Sequence, residues 1–441
     1  MEIETTIPIL GKAGICSPIG KKARGEQGPG FISDHKRILA QVDVQWLEKY
    51  MANGQMPPSF EAAGPRERVY FDPSKLRCAL VTCGGLCPGL NNIIRSVVME
   101  LYYGYGVDAI YGIRYGLRGF IADYGHAVMS LTPDKISDIH QLGGSILGSS
   151  RGPQSVEAIV DCLERMNIGV LFIVGGDGSM MAATKISDAI GRRGLKISVV
   201  GIPKTIDNDI YLISQSFGFD TAVDVATHAI RAAHNEAQGY PNGIGLIKLM
   251  GRHSGFIAAT AALAQQDVNF VLIPEVDFDL DGPDGLLAAV EKRLDARGHT
   301  VIVVAEGAGQ KFFNDQTDAA RTDASGNIRL SDIGSYLKER LKSYFQQRRI
   351  DISIKYIDPS YMIRSLPANA NDHVFCNFLG RDAVHAAMAG KTRLIVGYLH
   401  NHFVHIPMAA SVGKRKHVDP LGRLWRSVLE ATGQPLLKNE A

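Results

Sequence analysis

At 441 residues the chain is longer than one hydrophobic core usually spans, so two domains with some extension are expected. Hydrophobic residues at 45% and charged residues at 21% exclude a disordered chain. With 47 Lys and Arg against 45 Asp and Glu, a formal net charge of +2, no global field draws the protein toward nucleic acid or an acidic membrane, and any anion it binds has to be held locally.

Residues 1–77 read as an N-terminal extension with a packing or subunit-contact role: the connectors GEQGPG, QMPPSF and AAGPRE surround one helix near 40–51. From Arg77 onward, short apolar and β-branched runs end in Gly- or Pro-rich turns that lead into helical patterns, the grammar of a parallel α/β protein. The strand candidates are 78–83, 107–113, 170–176, 197–202, 244–251, 269–275, 300–307, 352–358 and 393–399, enough for two sheets. Helical spacing predicts helices over 90–103, 180–191, 222–236 and 255–265. In open α/β sheets ligands sit beyond the carboxyl ends of the strands, and the unusual residues of this chain fall at those ends.

The first such end is the turn CGGLCPGLNN, 83–92, where glycines let backbone amides approach a polyphosphate and the following helix favours negative charge. Taken alone it fits a purely topological turn equally well. Next, LGSSRGP places Arg151 among small residues, so its guanidinium fork could reach a phosphate unobstructed; an ordinary surface Arg is the alternative. The turn GGDGS, 175–179, follows an apolar strand and opens a helix. There Asp177 could hold Mg²⁺, with neighbouring amides and the Ser179 hydroxyl meeting phosphate oxygens, against the alternative of a solvated capped turn.

The turn PKTIDND, 203–209, crowds Lys204, Thr205, Ile206, Asp207, Asn208 and Asp209 at one strand end. A carboxylate there could take the proton of an incoming hydroxyl during phosphoryl transfer while Lys204 neutralises phosphate charge; Asp207 is the expected base, and Asp209 shapes the turn or helps a metal. In MGRHSG, Arg252 can stabilise charge on a moving phosphoryl group, whereas His253 reads as a surface or capping residue. Glu306 ends a very apolar strand, where a carboxylate is costly without a partner. In YMIR, Arg364 is a further phosphate reader with Tyr361 nearby.

Other features weigh less. His400, His402 and His405 lack a Cys or carboxylate at ligand spacing and read as a polar edge strand. The basic run 414–417 reads as a solvated loop. Cys16, Cys78, Cys83, Cys87, Cys162 and Cys376 are too sparse for a disulfide framework and suit a reducing compartment. No apolar run approaches the ~18–20 residues of a membrane span, and MEIETTIPIL lacks the basic and apolar regions of a signal peptide, so a cytoplasmic location is expected.

In this order, TCGGLCPGLN, LGSSRGP, GGDGS, PKTIDND, LMGR, VAEG and YMIR resemble the phosphofructokinase family over about 66–410. Within it the chain is similar to the ATP-dependent branch of the pyrophosphate-type lineage, as in trypanosomal and plant enzymes. The resemblance implies two Rossmann-like α/β domains with mostly parallel sheets, an active site in the cleft between them, and an N-terminal extension. The expected division is a nucleotide domain over 78–218, completed by about 365–412, and a sugar-phosphate domain over 219–364, completed by 413–441. ATP and Mg²⁺ would be held by Gly85, Arg151, Gly152, Gly176, Asp177, Gly178 and Ser179, with Asp177 on the metal. Fructose 6-phosphate would be held by Thr205, Ile206, Asp207, Met250, Gly251, Arg252, Glu306, Tyr361, Met362, Ile363 and Arg364, with Asp207 as base and Arg252 beside it in catalysis.

Two positions bear on the donor. Pyrophosphate users typically carry a second Asp where this chain has Gly178, and that carboxylate blocks the ATP α-phosphate. Lys204 is the residue of pyrophosphate enzymes, yet in the branch resembled here Gly with Lys goes with ATP. The chain departs from bacterial relatives in having Gly243 where a neighbouring subunit's Arg grips the sugar phosphate, with Lys248 or Lys355 as replacement cations, and Tyr361 where they have His. The implied assembly is a homotetramer, with a dimer as the alternative. A pyrophosphate-dependent enzyme and an inactive regulatory subunit are the competing readings.

Overall fold

The structure, a computed structural model, describes residues 3–19, 30–313 and 329–440. The chain divides into two compact units, one of Met1–Thr205, Ile210–Gly218 and Ser365–Arg415, the other of Ile206–Asp209, Phe219–Arg364 and Lys416–Ala441.

The first unit is built on a nine-stranded sheet. From edge to edge it runs Arg37–Leu39, Ser59–Ala62, His402–Pro407, Leu394–Leu399, Ser198–Pro203, Val170–Gly175, Arg77–Thr82, Ala109–Ile113 and Met129–Ser130. The five strands from Leu394–Leu399 to Ala109–Ile113 are parallel, and the outer ones pair antiparallel. Val170–Gly175 and Ser198–Pro203 are buried throughout, as strands covered on both faces must be, which is why they read as unbroken apolar runs. Helices Val156–Arg165 and Asp177–Arg192 supply Ile159, Leu163, Ile186 and Ile190 to the core against Leu171, Ile173 and Val199. Each such side chain contributes about 1.5–3 kcal/mol on burial. The chain runs from Arg77–Thr82 to Ala109–Ile113 on one side and then to Val170–Gly175 on the other, so the strand order reverses at Arg77–Thr82.

The extension does more than cover this sheet: Arg37–Leu39 and Ser59–Ala62 are two of its strands, and a helix Val44–Ala52 between them is capped by Asp43, whose side chain accepts from Trp46 N at 2.9 Å. The histidine segment is corrected likewise. His402–Pro407 is a strand, but an interior one, hydrogen-bonded between Leu394–Leu399 and Ser59–Ala62. A histidine can lie there because His405 is fully buried against Glu61, with Nδ1 at 3.4 Å from its carboxylate. Burial pushes the His405 imidazole down to about 4. Glu61 in turn meets Lys391 at 2.7 Å, and Asp34 bridges Lys391 at 3.0 Å and Arg66 at 2.8 Å. Arg66 completes its fork on the carbonyls of Gly64 and Ala62, so each buried charge is paired or hydrogen-bonded.

The helix expected over 90–103 stops at Met99 and continues as a π-helical turn, Glu100–Tyr105. The widened turn seats Tyr105 in the core with its hydroxyl 2.9 Å from His385 Nδ1, while Glu100 pairs with Arg381 at 3.0 Å.

The second unit has a four-stranded, wholly parallel sheet in the order Phe270–Leu272, His299–Ala305, Gly243–Leu249, Ser353–Ile357. Its core is separate, with Leu246, Val290, Ile302, Val304, Leu337 and Leu341 at the centre. Helix Ile333–Gln347 begins on Asp332, whose side chain accepts from Ser335 N at 3.3 Å. All nine strand candidates are strands, each within three residues of the expected bounds, the largest difference being at 269–275, whose strand ends at Leu272.

Candidate active site

In the first unit the loops after Arg77–Thr82 and Val170–Gly175 leave the carboxyl ends of parallel strands at the point where strand order reverses, which is where α/β sheets bind ligands, and a further loop, leading into helix Val156–Arg165, is fastened to them. The turn after Arg77–Thr82 uses left-handed glycines at Gly84 (φ 82°) and Gly89 (φ 98°), the latter heading helix Leu90–Met99. A Cβ on Gly89 would lie 2.7 Å from Cys376 Sγ, so both backbone angle and space demand glycine. The loop carrying Arg151 is stitched to this turn: Gly84 N donates to Ser150 O at 3.3 Å, Ser149 Oγ to Gly84 O at 2.5 Å, and Thr82 Oγ1 to Gly148 O at 2.7 Å. Arg151 itself is exposed and Gly152 is left-handed (φ 94°).

The third loop, after Val170–Gly175, opens helix Asp177–Arg192 with Gly176 as the N-cap residue. Gly178 is exposed, in its first turn, with nothing within 4 Å of where a Cβ would stand. Asp177 Oδ1 accepts from Gly413 N at 3.1 Å. One carboxylate heading a glycine turn suits Mg²⁺, which takes one or two carboxylates and completes its shell with water and phosphate oxygens. Lys204, only 7% exposed, donates from Nζ to Gly85 O at 2.7 Å and from its backbone to Gly175 O at 2.9 Å, tying the first and third loops together. Thr205 closes the first unit's share of this turn, its carbonyl accepting from Ser216 Oγ at 2.6 Å.

A fourth loop in this unit escaped sequence reading. Arg114 and Tyr115 follow strand Ala109–Ile113; Tyr115 is left-handed (φ 58°), its hydroxyl 2.9 Å from Arg114 Nη2, and a Cβ on the next residue, Gly116, would lie 2.7 Å from Ser150 Oγ. The signal was available in the Arg-Tyr-Gly that ends an apolar run, but without neighbours it looks like any turn.

In the second unit the strand tips converge on an acid. Asp207 accepts from the Arg252 backbone N–H and faces Asp209, Glu306 and Arg364. Burial, with the like charges of Asp209 and Glu306, pushes its carboxyl up to about 7. Its carbonyl is fixed separately by Ser254 Oγ at 3.0 Å. Glu306 is raised by burial and restrained by Arg364, Arg252 and Lys248, so the costly carboxylate ending an apolar strand has cationic neighbours. The tips that carry Arg252 and Glu306 are joined directly: Glu306 N donates to Leu249 O at 2.9 Å and Gly307 N to Gly251 O at 3.1 Å. Gly251 holds φ 133°, where a Cβ would lie 2.5 Å from Ser254 O. Among the described residues, Arg252 Nε and Nη2 are buried without a hydrogen-bond acceptor, on the residue whose backbone N–H holds Asp207 and whose charge faces Glu306.

Arg364 lies on helix Ser360–Ser365, with Tyr361 and Met362 exposed at 81% and 67% and Ile363 fully buried as its anchor. Ile206 and Met250 are buried. Of the suggested replacement cations, Lys248 is held between Asp358 at 2.8 Å and Asp332 at 3.0 Å, and Lys355 stands 4.0 Å over the Tyr240 ring and pairs with Glu236 at 3.5 Å. Gly243 admits no side chain at all, since a Cβ there would enter the Ala237 carbonyl. The basic run at 414–417 is not simply solvated: Lys416 N donates to Asp209 O at 2.8 Å, its ammonium lies 5.0 Å over the Phe256 ring, and burial pushes it down to about 8.

Glycine-lined strand tips headed by a carboxylate, together with a buried acid beside arginine donors, define an α/β phosphotransferase. The model of the family described as Phosphofructokinase matches residues 77–387, and the chain belongs to the phosphofructokinase family. The ATP-dependent 6-phosphofructokinase of Borreliella burgdorferi is 50% identical over 444 residues, covering 99% of this chain and 98% of that protein. That of Amycolatopsis methanolica is 48% identical, covering 97% and 94%. A solved pyrophosphate-dependent phosphofructokinase from Marinobacter aquaeolei has a TM-score of 0.66 at 21% identity, covering 83% of this chain and 93% of that one, a likeness of fold.

Proposed function

We propose that this chain is an ATP-dependent 6-phosphofructokinase, transferring the γ-phosphate of ATP to the 1-hydroxyl of fructose 6-phosphate to give ADP and fructose 1,6-bisphosphate. The observation that carries the reading is Asp207, a carboxyl raised to about 7 and held by the backbone N–H of Arg252, whose side-chain Nε and Nη2 are buried with no acceptor among the described residues. A base poised near neutrality can take the hydroxyl proton as the phosphoryl group arrives, and preset N–H donors stabilise the charge that develops on that group. The names of relatives that match nearly the whole chain support ATP as donor and fructose 6-phosphate as acceptor.

The first unit would hold the nucleotide through the amides around Gly85 and Gly176, with Arg151, Gly152 and Ser179 on phosphate oxygens and Gly178 leaving room for the α-phosphate. Mg²⁺, held by Asp177 when bound, would neutralise phosphate charge. The second unit would hold the sugar phosphate, with Arg364 on its phosphate and Met250, Gly251, Glu306 and Tyr361 around the sugar; Thr205 at the turn completes the set. We place the enzyme in the cytoplasm as a homotetramer. Among the described residues no helix is long and apolar enough to cross a membrane.

The test is a donor panel on the purified protein with Mg²⁺ and fructose 6-phosphate, measuring fructose 1,6-bisphosphate. ATP is expected to support turnover; pyrophosphate supporting it in place of ATP would overturn the donor assignment, and no product from either would overturn the activity.

The acid's environment sets a pH dependence. Only ionised Asp207 can act as base, so kcat/KM for the sugar is expected to fall as pH drops below about 7, the value its surroundings impose. Asp209→Asn removes a neighbouring negative charge, lowers the Asp207 value and moves that acidic limb to lower pH. The substrate phosphate, itself titrating near pH ~6, contributes equally to both profiles, so the difference isolates the enzyme. Superimposable profiles would contradict the coupling.

A further inference from the structure

Strand Gly243–Leu249 is apolar except at Lys248, whose side chain is 14% exposed. A lysine in such a strand is costly unless its charge is matched, and here one ammonium is matched by two carboxylates. Each also holds the start of a helix. Asp358 meets Lys248 through Oδ2 at 2.8 Å while its Oδ1 accepts from Ser360 N at 3.2 Å, the start of the short helix that carries Arg364. Asp332 meets the same ammonium at 3.0 Å while capping helix Ile333–Gln347. Lys248 also stands two residues before Met250, on the strand whose tip presents Gly251 and Arg252, and it is one of three cations facing Glu306.

We propose that Lys248 is a positioning residue of the sugar-phosphate site. Through Asp358 it sets the helix bearing Arg364 against the strand tip bearing Met250, Gly251 and Arg252. It also balances Asp332 and Asp358, which would otherwise add two uncompensated negative charges beside a site that has to accept a phosphate dianion. The register places the link where it can work: Ile247 pairs with Ile357, so Lys248 and Asp358 are the next residues along two adjacent parallel strands. Neither role requires Lys248 to touch substrate. This inference rests on the acceptor reading given above.

The experiment is steady-state kinetics of Lys248→Met, Lys248→Arg and Asp358→Asn, varying ATP and fructose 6-phosphate separately, with calorimetric titration of fructose 6-phosphate on each protein. Lys248→Met keeps most of the stem and removes the charge; its sugar KM and Kd are expected to rise about 10-fold or more, with kcat within about 3-fold and the ATP KM unchanged. Lys248→Arg should return the sugar KM to within about 3-fold of wild type. Asp358→Asn keeps an oxygen for Ser360 N but loses the ionic link, and a rise of about 3-fold or more in sugar KM is expected; it carries the test if Lys248→Met does not fold. Sugar KM and Kd within 2-fold of wild type in the folded variants, or a parallel loss of kcat and of affinity for both substrates that arginine does not repair, would overturn the proposal. An inactive wild type would strike the functional reading, while the titrations would still decide whether Lys248 supports sugar-phosphate binding.

Discussion

Replacing Asp207 by asparagine is expected to lower kcat by about 10²–10⁴ while leaving the affinity for fructose 6-phosphate within a few-fold of wild type. Asparagine has nearly the shape of aspartate but cannot take a proton. The main chain at this position is held independently of the side chain, by Ser254 Oγ on the Asp207 carbonyl, so the turn should survive the change. Because the carboxyl is already raised by burial and by Asp209 and Glu306, losing its charge relieves repulsion rather than leaving a cation stranded, and the protein should be at least as stable. Rapid quench of one turnover, with calorimetric titration of the sugar phosphate, separates chemistry from binding. A rate within tenfold of wild type would falsify the assignment of Asp207 as base.

Gly178→Asp is expected to lower kcat/KM for ATP by at least about 10²-fold, since a like charge brought against a bound anion costs several kcal/mol and each 1.4 kcal/mol is tenfold. The loss should not come from misfolding. The site is exposed, a Cβ there meets nothing within 4 Å, and an acidic residue in the first turn of helix Asp177–Arg192 suits the helix dipole. An unchanged melting temperature with poor ATP use is the expected pair of results. If the variant uses ATP within about threefold of wild type, Gly178 does not set the donor.

The strands and their loaded tips were legible because both depend on local pattern: unbroken apolar runs such as Val170–Gly175 signal burial on both faces, and glycine turns directly after them signal close backbone approach. What stayed hidden depends on partners distant in sequence. The short strands Arg37–Leu39 and Ser59–Ala62 mix Arg, Ser and Glu with apolar residues and exist because His402–Pro407 offers an edge to pair with. His405 looks polar and exposed until Glu61 and Lys391 are seen beside it. Lys248 reads from sequence as a replacement cation for the sugar phosphate, and only the carboxylates of Asp332 and Asp358 show that it is committed. Helix Leu90–Met99 gives way to a π turn for a similar reason, as Tyr105 and Glu100 are drawn to His385 and Arg381.

The way the large sheet is threaded has a consequence for synthesis on the ribosome. Val200 finds its neighbour at Leu394, and the strand Ser59–Ala62 waits for Val404 and His405. Until those residues leave the exit tunnel, the nascent sheet presents an unpaired apolar edge along Ser198–Pro203, the kind of template that recruits other chains. Expression of this protein should therefore respond to holdase chaperones, and chains terminated before Leu394 should aggregate rather than fold as a smaller body.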